Sequence, residues 1–231
     1  MRDHITIEGR NGAFGAYVAR TNTVPAPAVV VLHEVFGVNA DIRKHCDELA
    51  EQGFLAVAPD LFWHQEPGVD LSVTSKADWD HGIRLNQAYD RDRGAEDVKD
   101  TVAAVGKLSE CTGKVAALGY CLGALMTYLT AVRYGIDAGV AYHGGDTEKY
   151  LAEVDGLHAP LLMHLAEEDE FISKPAQAQI KAALAGRPNA AVYSYPGQSH
   201  AFTRHSGAHY NAAAAALANG RTLEFLSRQL W

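Results

Sequence analysis

Cysteine is scarce in this sequence, and the few cysteines are far apart. The 231 residues include three, Cys46, Cys111 and Cys121, with no Cys-x-x-Cys pair. An odd number at wide spacing does not provide the paired framework of a disulfide-rich secreted domain. We therefore expect reduced thiols and a cytoplasmic protein, with Cys46 packed in a helix and Cys111 in an ordinary loop.

An excess of positive charge and long hydrophobic runs are also missing. The formal net charge is −8, which argues against a nucleic-acid partner because binding to phosphates requires a basic face. The longest aliphatic run, residues 28–32, is far shorter than the roughly 20 residues that cross a bilayer. The N-terminus lacks the apolar segment of a signal peptide. We therefore expect neither nucleic acid nor membrane among the partners.

Short aliphatic runs alternate with helical patterns along the chain. At this length and with 48% apolar residues, the chain fits a single domain, residues 1–231. The aliphatic runs predict strands at 5–8, 15–19, 28–32, 55–58, 115–118, 139–142, 161–165 and 192–195. The helical patterns predict helices at 40–52, 94–107, 122–134, 175–185 and 209–229. Several runs are apolar throughout, as in parallel strands covered on both faces, whereas the first two alternate and favour an antiparallel edge. The pattern predicts an α/β fold with a mostly parallel, doubly wound sheet of about eight strands and helices on both faces.

A long connection interrupts this alternation at residues 61–93. It lies between a predicted strand and a predicted helix and is rich in Trp, His, Asp and Arg. A connection of this length in a compact domain is usually functional. We expect it to form part of the wall of a pocket.

The most informative stretch is Gly119-Tyr120-Cys121-Leu122-Gly123, between an apolar run and a helical pattern. A strand, Gly-x-nucleophile-x-Gly and a helix form the nucleophile elbow of an α/β-hydrolase. The glycines are required because side chains two positions either side of the nucleophile would collide in so tight a turn. Cysteine stands where serine is usual, which makes the chain a candidate thiol esterase. The pentapeptide alone leaves open that Cys121 is a small buried core residue.

Two further residues complete a possible catalytic triad. A thiol nucleophile requires a base, the base requires an orienting acid, and in α/β-hydrolases the chain order is nucleophile, acid, histidine. Asp169 follows the predicted strand 161–165, and His200 follows the predicted strand 192–195. The ordered set therefore predicts a triad. Three neighbouring acids compete with Asp169, although a solvated acidic loop is the simpler interpretation of Glu167, Glu168 and Glu170.

The sequence offers donors for an oxyanion hole but no clear metal-binding motif. One oxyanion donor should be the backbone N–H of Leu122, directly after the nucleophile at a helix N-terminus. The second should come from residues 33–37. The pair His33-Glu34 resembles the start of a zinc-protease motif, but the second histidine it needs would be at position 37, which is Gly. We find no convincing metal site among the 11 histidines and expect no metal. Among the other histidines, we expect His164 to be a core residue. We expect His205 and His209 to lie at the surface.

Segments along nearly the whole chain resemble the dienelactone hydrolase family. They are residues 33–39, 58–61, 119–123, Asp169, residues 197–202 and the tail 213–222. Members of that family are single-domain, cofactor-free α/β-hydrolases with a Cys-His-Asp triad. They open enol lactones during bacterial breakdown of chlorinated aromatics.

The resemblance implies a role for each matching residue. Cys121 would be the nucleophile that forms an acyl-enzyme, with His200 as base and Asp169 as its orienter. The N–H groups of Leu122 and Val35 would hold the oxyanion. Glu34 would be the family's extra carboxylate beside the thiol; the alternative is a surface acid of the loop. A buried carboxylate there opposes thiolate formation, so the resting thiol should stay neutral and resist oxidation.

The substrate pocket departs from the family pattern. The family binds the free carboxylate of the lactone with two arginines, and Arg204 matches the first. Trp79 occupies the position of the second, and Ile83 and Asn86 replace a tyrosine and a tryptophan. Trp79 would offer an apolar wall for a bulkier or neutral ester, or it is a plain core aromatic. Substrate contacts are expected from Arg204, Phe36, Trp79, Ile83 and Ala201.

The sequence is compatible with three functions. The first is cysteine-dependent hydrolysis of a lactone or carboxylic ester. The second is an esterase or thioesterase for a neutral or aryl acyl substrate with the same triad. The third is a non-catalytic binding protein on the hydrolase fold. For the enzyme we expect a small-molecule substrate, no cofactor and a monomer.

Overall fold

One eight-stranded sheet organises the chain. The structure, a computed structural model, describes residues 2–231. The strands are β1 (Arg2–Gly9), β2 (Gly12–Ala19), β3 (Ala26–Leu32), β4 (Leu55–Pro59), β5 (Cys111–Tyr120), β6 (Ala138–Tyr142), β7 (Leu161–Ala166) and β8 (Ala190–Tyr195). Their order is β1-β2-β4-β3-β5-β6-β7-β8. The pairs β1–β2 and β2–β4 are antiparallel, and all other neighbours are parallel. This confirms the predicted α/β-hydrolase fold, including its antiparallel edge.

Six α-helices connect and cover the strands. They are α1 (Ala40–Glu51), α2 (Lys76–Ala88), α3 (Arg91–Val105), α4 (Leu122–Arg133), α5 (Lys174–Leu184) and α6 (Ala212–Leu230), with a 3-10 segment at Thr147–Gly156. One apolar core, on the face of α3, α4 and α5, includes Val98, Leu125 and Ile180. The other, on the face of α1 and α6, includes Ile42 and Leu226. The strands β3, β4, β6 and β7 are buried along their whole length, which explains why they read as continuous apolar runs.

Several helix boundaries differ from those predicted. The last helix begins at Ala212 rather than at residue 209, because the side chain of Asn211 caps it by accepting from the N–H of Ala214. Helix α3 begins at Arg91, three residues earlier than predicted, because the side chain of Asp90 caps it. Residues 61–93, which we predicted as a long connection, contain α2, and the 3-10 segment was not predicted.

The cysteines are all free. Cys46 is fully buried in α1, where burial raises the pKa of its thiol. Cys111 is the first residue of β5, so the prediction of a loop position is wrong. None of the helices in residues 2–231 has the length and hydropathy needed to span a bilayer.

Candidate active site

The elbow lies between β5 and α4 and presents Cys121 at the carboxyl edge of the sheet. Its backbone has φ 51° and ψ −112°, a strained conformation for a residue with a side chain. A Cβ on Gly119 would lie 2.0 Å from the carbonyl oxygen of Gly123, and a Cβ on Gly123 would lie 2.1 Å from that of Leu32. Only glycine fits at these two positions, for the steric reason that the sequence suggested.

Backbone hydrogen bonds fix the elbow and leave two donors free. The N–H of Cys121 donates to Tyr142 O at 3.0 Å, and that of Gly123 donates to His33 O at 3.1 Å. Within residues 2–231, the N–H groups of Leu122 and Val35 have no acceptor. Both residues line the same pocket as Cys121. The two free donors are therefore available to an anionic oxygen of a substrate.

His200 connects the thiol with an acid. Its Nδ1 lies 3.0 and 2.9 Å from the two carboxylate oxygens of Asp169, and its other partner is the thiol of Cys121. Asp169 also accepts from the N–H groups of Phe171 and Ile172, which orient its carboxylate. The side chains of Asp169 and His200 are 0% and 4% exposed. The chain therefore brings the three predicted triad residues together in the predicted order of contact.

The protonation of His200 follows from this arrangement. Burial lowers the pKa of the imidazole, but electrostatic interactions and hydrogen bonds with Cys121 and Asp169 outweigh burial and raise the pKa to about 10. A positively charged imidazole next to a thiol favours the thiolate. The site therefore keeps His200 protonated next to the sulfur of Cys121 at neutral pH.

Glu34 is paired with an arginine rather than with the thiol. Its Oε2 lies 3.1 Å from Nη1 of Arg204, and the two side chains are 7% and 9% exposed. The guanidinium also lies over the rings of Phe36 and Trp79, at 5.2 and 5.7 Å from their centroids. Burial excludes the alternative that Glu34 is a surface acid. The arginine that we expected to meet a substrate carboxylate already holds one anionic partner.

The pocket in front of Cys121 has a volume of about 170 Å³. Of the residues predicted to contact substrate, Arg204, Phe36, Trp79 and Ile83 line it, as does Asn86. Ala201 does not line it. Ala201 is fully buried with φ 58°, because the chain turns away from the pocket directly after His200. The prediction that Ala201 contacts substrate is therefore wrong.

Four lining or neighbouring residues were missed from the sequence. Arg91 and Asp146 lie on the pocket wall, 3.9 Å apart between Nη2 and Oδ2. Phe171 is 54% exposed and lies against the triad, with its ring roughly perpendicular to that of His200 and the two ring centroids 4.8 Å apart. His143 is buried 4.4 Å from His200, and neither of its ring nitrogens has a partner within residues 2–231. Phe171 stands two residues after Asp169 and could have been found from that spacing; the others carry no local signal.

The acids and histidines near the triad have separate roles. Glu168 pairs with Lys174, whereas Glu170 accepts from the N–H of His200 at 3.2 Å and so supports the histidine. His164 is a core residue that bonds Tyr195 and Thr222, as predicted, and burial lowers its pKa to about 3. His205 is half-buried against Glu48 and so less exposed than predicted. His209 lies at the surface as predicted, with Nδ1 3.1 Å from His200 O.

Two groups of side chains in residues 2–231 have the spacing of metal ligands. One is Glu34, His143 and His200, and the other is His45, Glu48 and His205. In the first, the salt bridge to Arg204 and the bond to Asp169 already occupy Glu34 and His200. The second lines a separate cavity beside α1 and α6.

Comparisons with known proteins find relatives along nearly the whole chain. The sequence profile of the Dienelactone hydrolase family matches residues 14–230. A relative in Azospirillum brasilense is 39% identical over 232 residues, which cover 100% of both chains. The carboxymethylenebutenolidase of Pseudomonas putida is 35% identical over 228 residues, 98% of this chain and 97% of that protein. A solved structure of a dienelactone hydrolase-like promiscuous phosphotriesterase from metagenomic libraries has a TM-score of 0.80 at 22% identity, covering 100% of this chain and 99% of its own, and shows the shared fold.

Proposed function

Because this chain belongs to the dienelactone hydrolase family, we propose that it hydrolyses its substrate through the thiol of Cys121 and an acyl-enzyme. The family relationship makes it a hydrolase of esters or lactones, which removes the non-catalytic binding protein from consideration. The observation that carries the proposal is the contact of His200 with both Cys121 and Asp169 inside one pocket.

The proposed reaction has two steps. The thiolate sulfur of Cys121 forms a bond to the carbonyl carbon, and the resulting oxyanion accepts from the N–H groups of Leu122 and Val35. The bond to the leaving oxygen breaks as His200 donates a proton to it, which gives a thioester. Water then attacks the thioester with His200 as base, releasing the acid and restoring the thiol. In a lactone the leaving oxygen stays attached to the acyl chain, so one open-chain product forms.

Glu34 is proposed to control the charge of the thiol. In the mechanism implied by the family, substrate binding moves the glutamate, which then takes the thiol proton. In this structure the carboxylate of Glu34 pairs with Arg204, and the thiol of Cys121 contacts His200. This corresponds to the arrangement after the glutamate has moved. With its charge balanced by Arg204, the carboxylate opposes thiolate formation less than a free one would.

The substrate that the pocket favours is a lactone or ester with an aromatic or other flat apolar part. Phe36, Trp79, Ile83, Leu125 and Phe171 present apolar surface around the thiol. This is also the observation that favours the second candidate, a neutral or aryl ester. Since Glu34 already pairs with Arg204, a substrate carboxylate must compete for that guanidinium.

The experiment compares a carboxylated dienelactone with a neutral aryl ester as substrates of the full chain. Faster opening of the lactone supports the activity named for the relatives. Preference for the aryl ester supports the second candidate with the same triad. In parallel, iodoacetamide should alkylate Cys121 and abolish turnover of both substrates, and substrate should protect the thiol. Full turnover by protein alkylated at Cys121 would contradict the thiol mechanism.

We further propose that the enzyme acts as a cytoplasmic monomer formed by a single domain. The support is one continuous sheet across the described residues and three free thiols. Light scattering during size-exclusion chromatography should give the mass of one chain. The mass of two or more chains would contradict the monomer.

A further inference from the structure

A second cavity lies away from the proposed active site. It has a volume of about 260 Å³ and is bounded by α1, α6 and the strands between them. It shares no lining residue with the pocket that contains Cys121. Its wall includes His45, Glu48 and His205, which the proposed hydrolysis does not use.

These three side chains converge on one point. His45 and Glu48 stand three residues apart on α1 and therefore share a helix face. His205 reaches them from the segment between β8 and α6. Nε2 of His205 lies 3.0 Å from Oε1 of Glu48, and Nδ1 of His45 lies 3.6 Å from Oε2 of Glu48. The ligating atoms of all three lie within 4.8 Å of one another.

We propose that His45, Glu48 and His205 form a binding site for a divalent transition-metal ion of the zinc class. Two imidazole nitrogens and one carboxylate oxygen are a known ligand set for zinc, and imidazole suits this class of ions generally. Bonds of about 2.0–2.2 Å place neighbouring ligand atoms of a tetrahedral site roughly 3.3 Å apart, close to the separations of Glu48 from both histidines. The cavity leaves room for water as the fourth ligand.

The ligands are held in place by their surroundings. The ring of His45 is stacked on the ring of Tyr120 with centroids 4.6 Å apart. Next to His205, the N–H of Ser206 donates to Asp41 at 3.0 Å, and the hydroxyl of Ser206 donates to the same carboxylate. Asp41 belongs to α1, so both segments that supply ligands are tied together before an ion binds. Such support is what a metal site requires of its second shell of contacts.

The competing interpretation is a polar network without an ion. In that case His205 simply donates to Glu48, and Lys44, 3.9 Å from Glu48, balances the carboxylate. The two interpretations differ in one measurable respect. An ion bound to the three ligands would link α1 to the segment that follows His200, and above the dissociation constant the stabilisation of the fold would rise with the logarithm of the ion concentration.

The experiment uses full-length Cys121→Ser protein treated with EDTA, in which the reactive thiol cannot hold the ion. Equilibrium dialysis against Zn²⁺ should give one ion per chain, and Zn²⁺ should raise the melting temperature. Co²⁺ should give visible bands typical of nitrogen and oxygen ligands without a sulfur charge-transfer band. Glu48→Gln and His205→Ala, each in the same background, should weaken binding at least tenfold and remove the rise in melting temperature.

Matched controls separate this site from others. Glu51→Gln removes the same charge from the same cavity wall, and His158→Ala removes an exposed histidine; both should bind as the parent does. Circular dichroism without metal establishes that each variant is folded. Absence of Zn²⁺ binding by the parent, equal binding by Glu48→Gln and His205→Ala, or loss of binding in His143→Leu instead would overturn the proposal.

Discussion

His200 is the residue whose charge state decides the chemistry. Burial opposes its protonation, yet the neighbouring Cys121 and Asp169 raise its pKa to about 10. Because the folded pKa lies above the usual value of about 6.5, the imidazolium and the stability it contributes are fully present below pH 6.5. They are lost as the pH rises through about 10. The imidazolium of His200 should therefore persist across the neutral range.

Asp169→Asn should shift this behaviour in a defined direction. The carboxylate is one of the groups that raise the pKa of His200, so its removal should move the alkaline limb of kcat/KM to lower pH. The loss of rate should be large, about 10⁴-fold when judged from the corresponding change in a serine triad. The measurement is kcat/KM from pH 6 to pH 10.5 on an activated aryl ester. Glu168→Gln, in the same loop but paired with Lys174, should leave the profile unchanged; an unshifted limb in Asp169→Asn would contradict the assignment.

The ion pair of Glu34 and Arg204 is the second residue-scale feature. Removing one partner leaves the other charge buried, so Arg204→Met should lower the free energy of unfolding by about 3 kcal/mol. Adding Glu34→Gln should recover part of that loss, with a coupling of about 1 kcal/mol or more. Chemical unfolding of both single variants and the double variant measures it. Additive losses would mean that the pair contributes no coupling.

The sequence predicted individual triad residues better than their surroundings. Cys121, Asp169 and His200 were found because each stands at a fixed place relative to a strand. The pairing of Glu34 with Arg204 joins residues 170 positions apart, and no local pattern encodes it. The same is true of His143 and Arg91. Ala201 was assigned to the pocket by position alone, and the turn after His200 directs it into the core instead.

At the scale of elements, the elbow depends on close approach of α4 to β3. Gly123→Ala would place a methyl carbon 2.1 Å from Leu32 O, and a backbone atom cannot move aside as a side chain can. We expect this variant to lose at least about 3 kcal/mol of unfolding free energy and most of its activity.

Gly220→Ala is the matched control for this prediction. Gly220 is also helical, in α6, and a Cβ there would meet nothing within 4 Å. The substitution should raise stability by about 0.5–1 kcal/mol, because alanine is the better helix former. Thermal or urea unfolding of both variants tests the pair. Equal effects of the two substitutions would contradict the steric account of the elbow.

Helix α2 was not predicted from the sequence, although it lines the pocket. A capping signal was present, since Ser75 accepts from the N–H of Asp78, but the surrounding polarity favoured a loop. The helix carries Trp79 and Ile83 to the pocket four residues apart. Between them, Gly82 lies so close to the backbone of Val35 that a Cβ would be 2.3 Å from Val35 O. We infer that α2 both shapes the pocket and positions the Val35 donor.

Trp79→Arg tests what α2 contributes to specificity. Arg204 and Arg91, which line the pocket, are paired with Glu34 and Asp146, so a guanidinium at position 79 would offer a substrate carboxylate an additional partner. We expect kcat/KM for a carboxylated dienelactone to rise about 10- to 100-fold, as one charge-assisted pair allows, while the neutral aryl ester loses rate. Trp79→Ala removes the ring without adding charge and should give no such gain. An equal gain in both variants would mean that the indole only obstructs the pocket.

At the scale of the whole molecule, the strand order assembles the site. The strands β3, β5, β7 and β8 run parallel, so their carboxyl ends meet at one edge and deliver Val35, Cys121, Asp169 and His200. The fold class was predictable because apolar runs, helix caps and glycines all agree locally. The spatial order of the strands is not encoded in any one of these runs and was not predicted from the sequence.

The central claim is that the thiol of Cys121 performs the hydrolysis, and the turnover of Cys121→Ala tests it most directly. On an activated aryl ester, kcat/KM should fall by roughly 10⁴-fold or more, as for loss of a nucleophile in a catalytic triad. Cys111→Ala, which removes a thiol at the start of β5, should retain the wild-type value. A Cys121→Ala enzyme within tenfold of wild type would contradict the account.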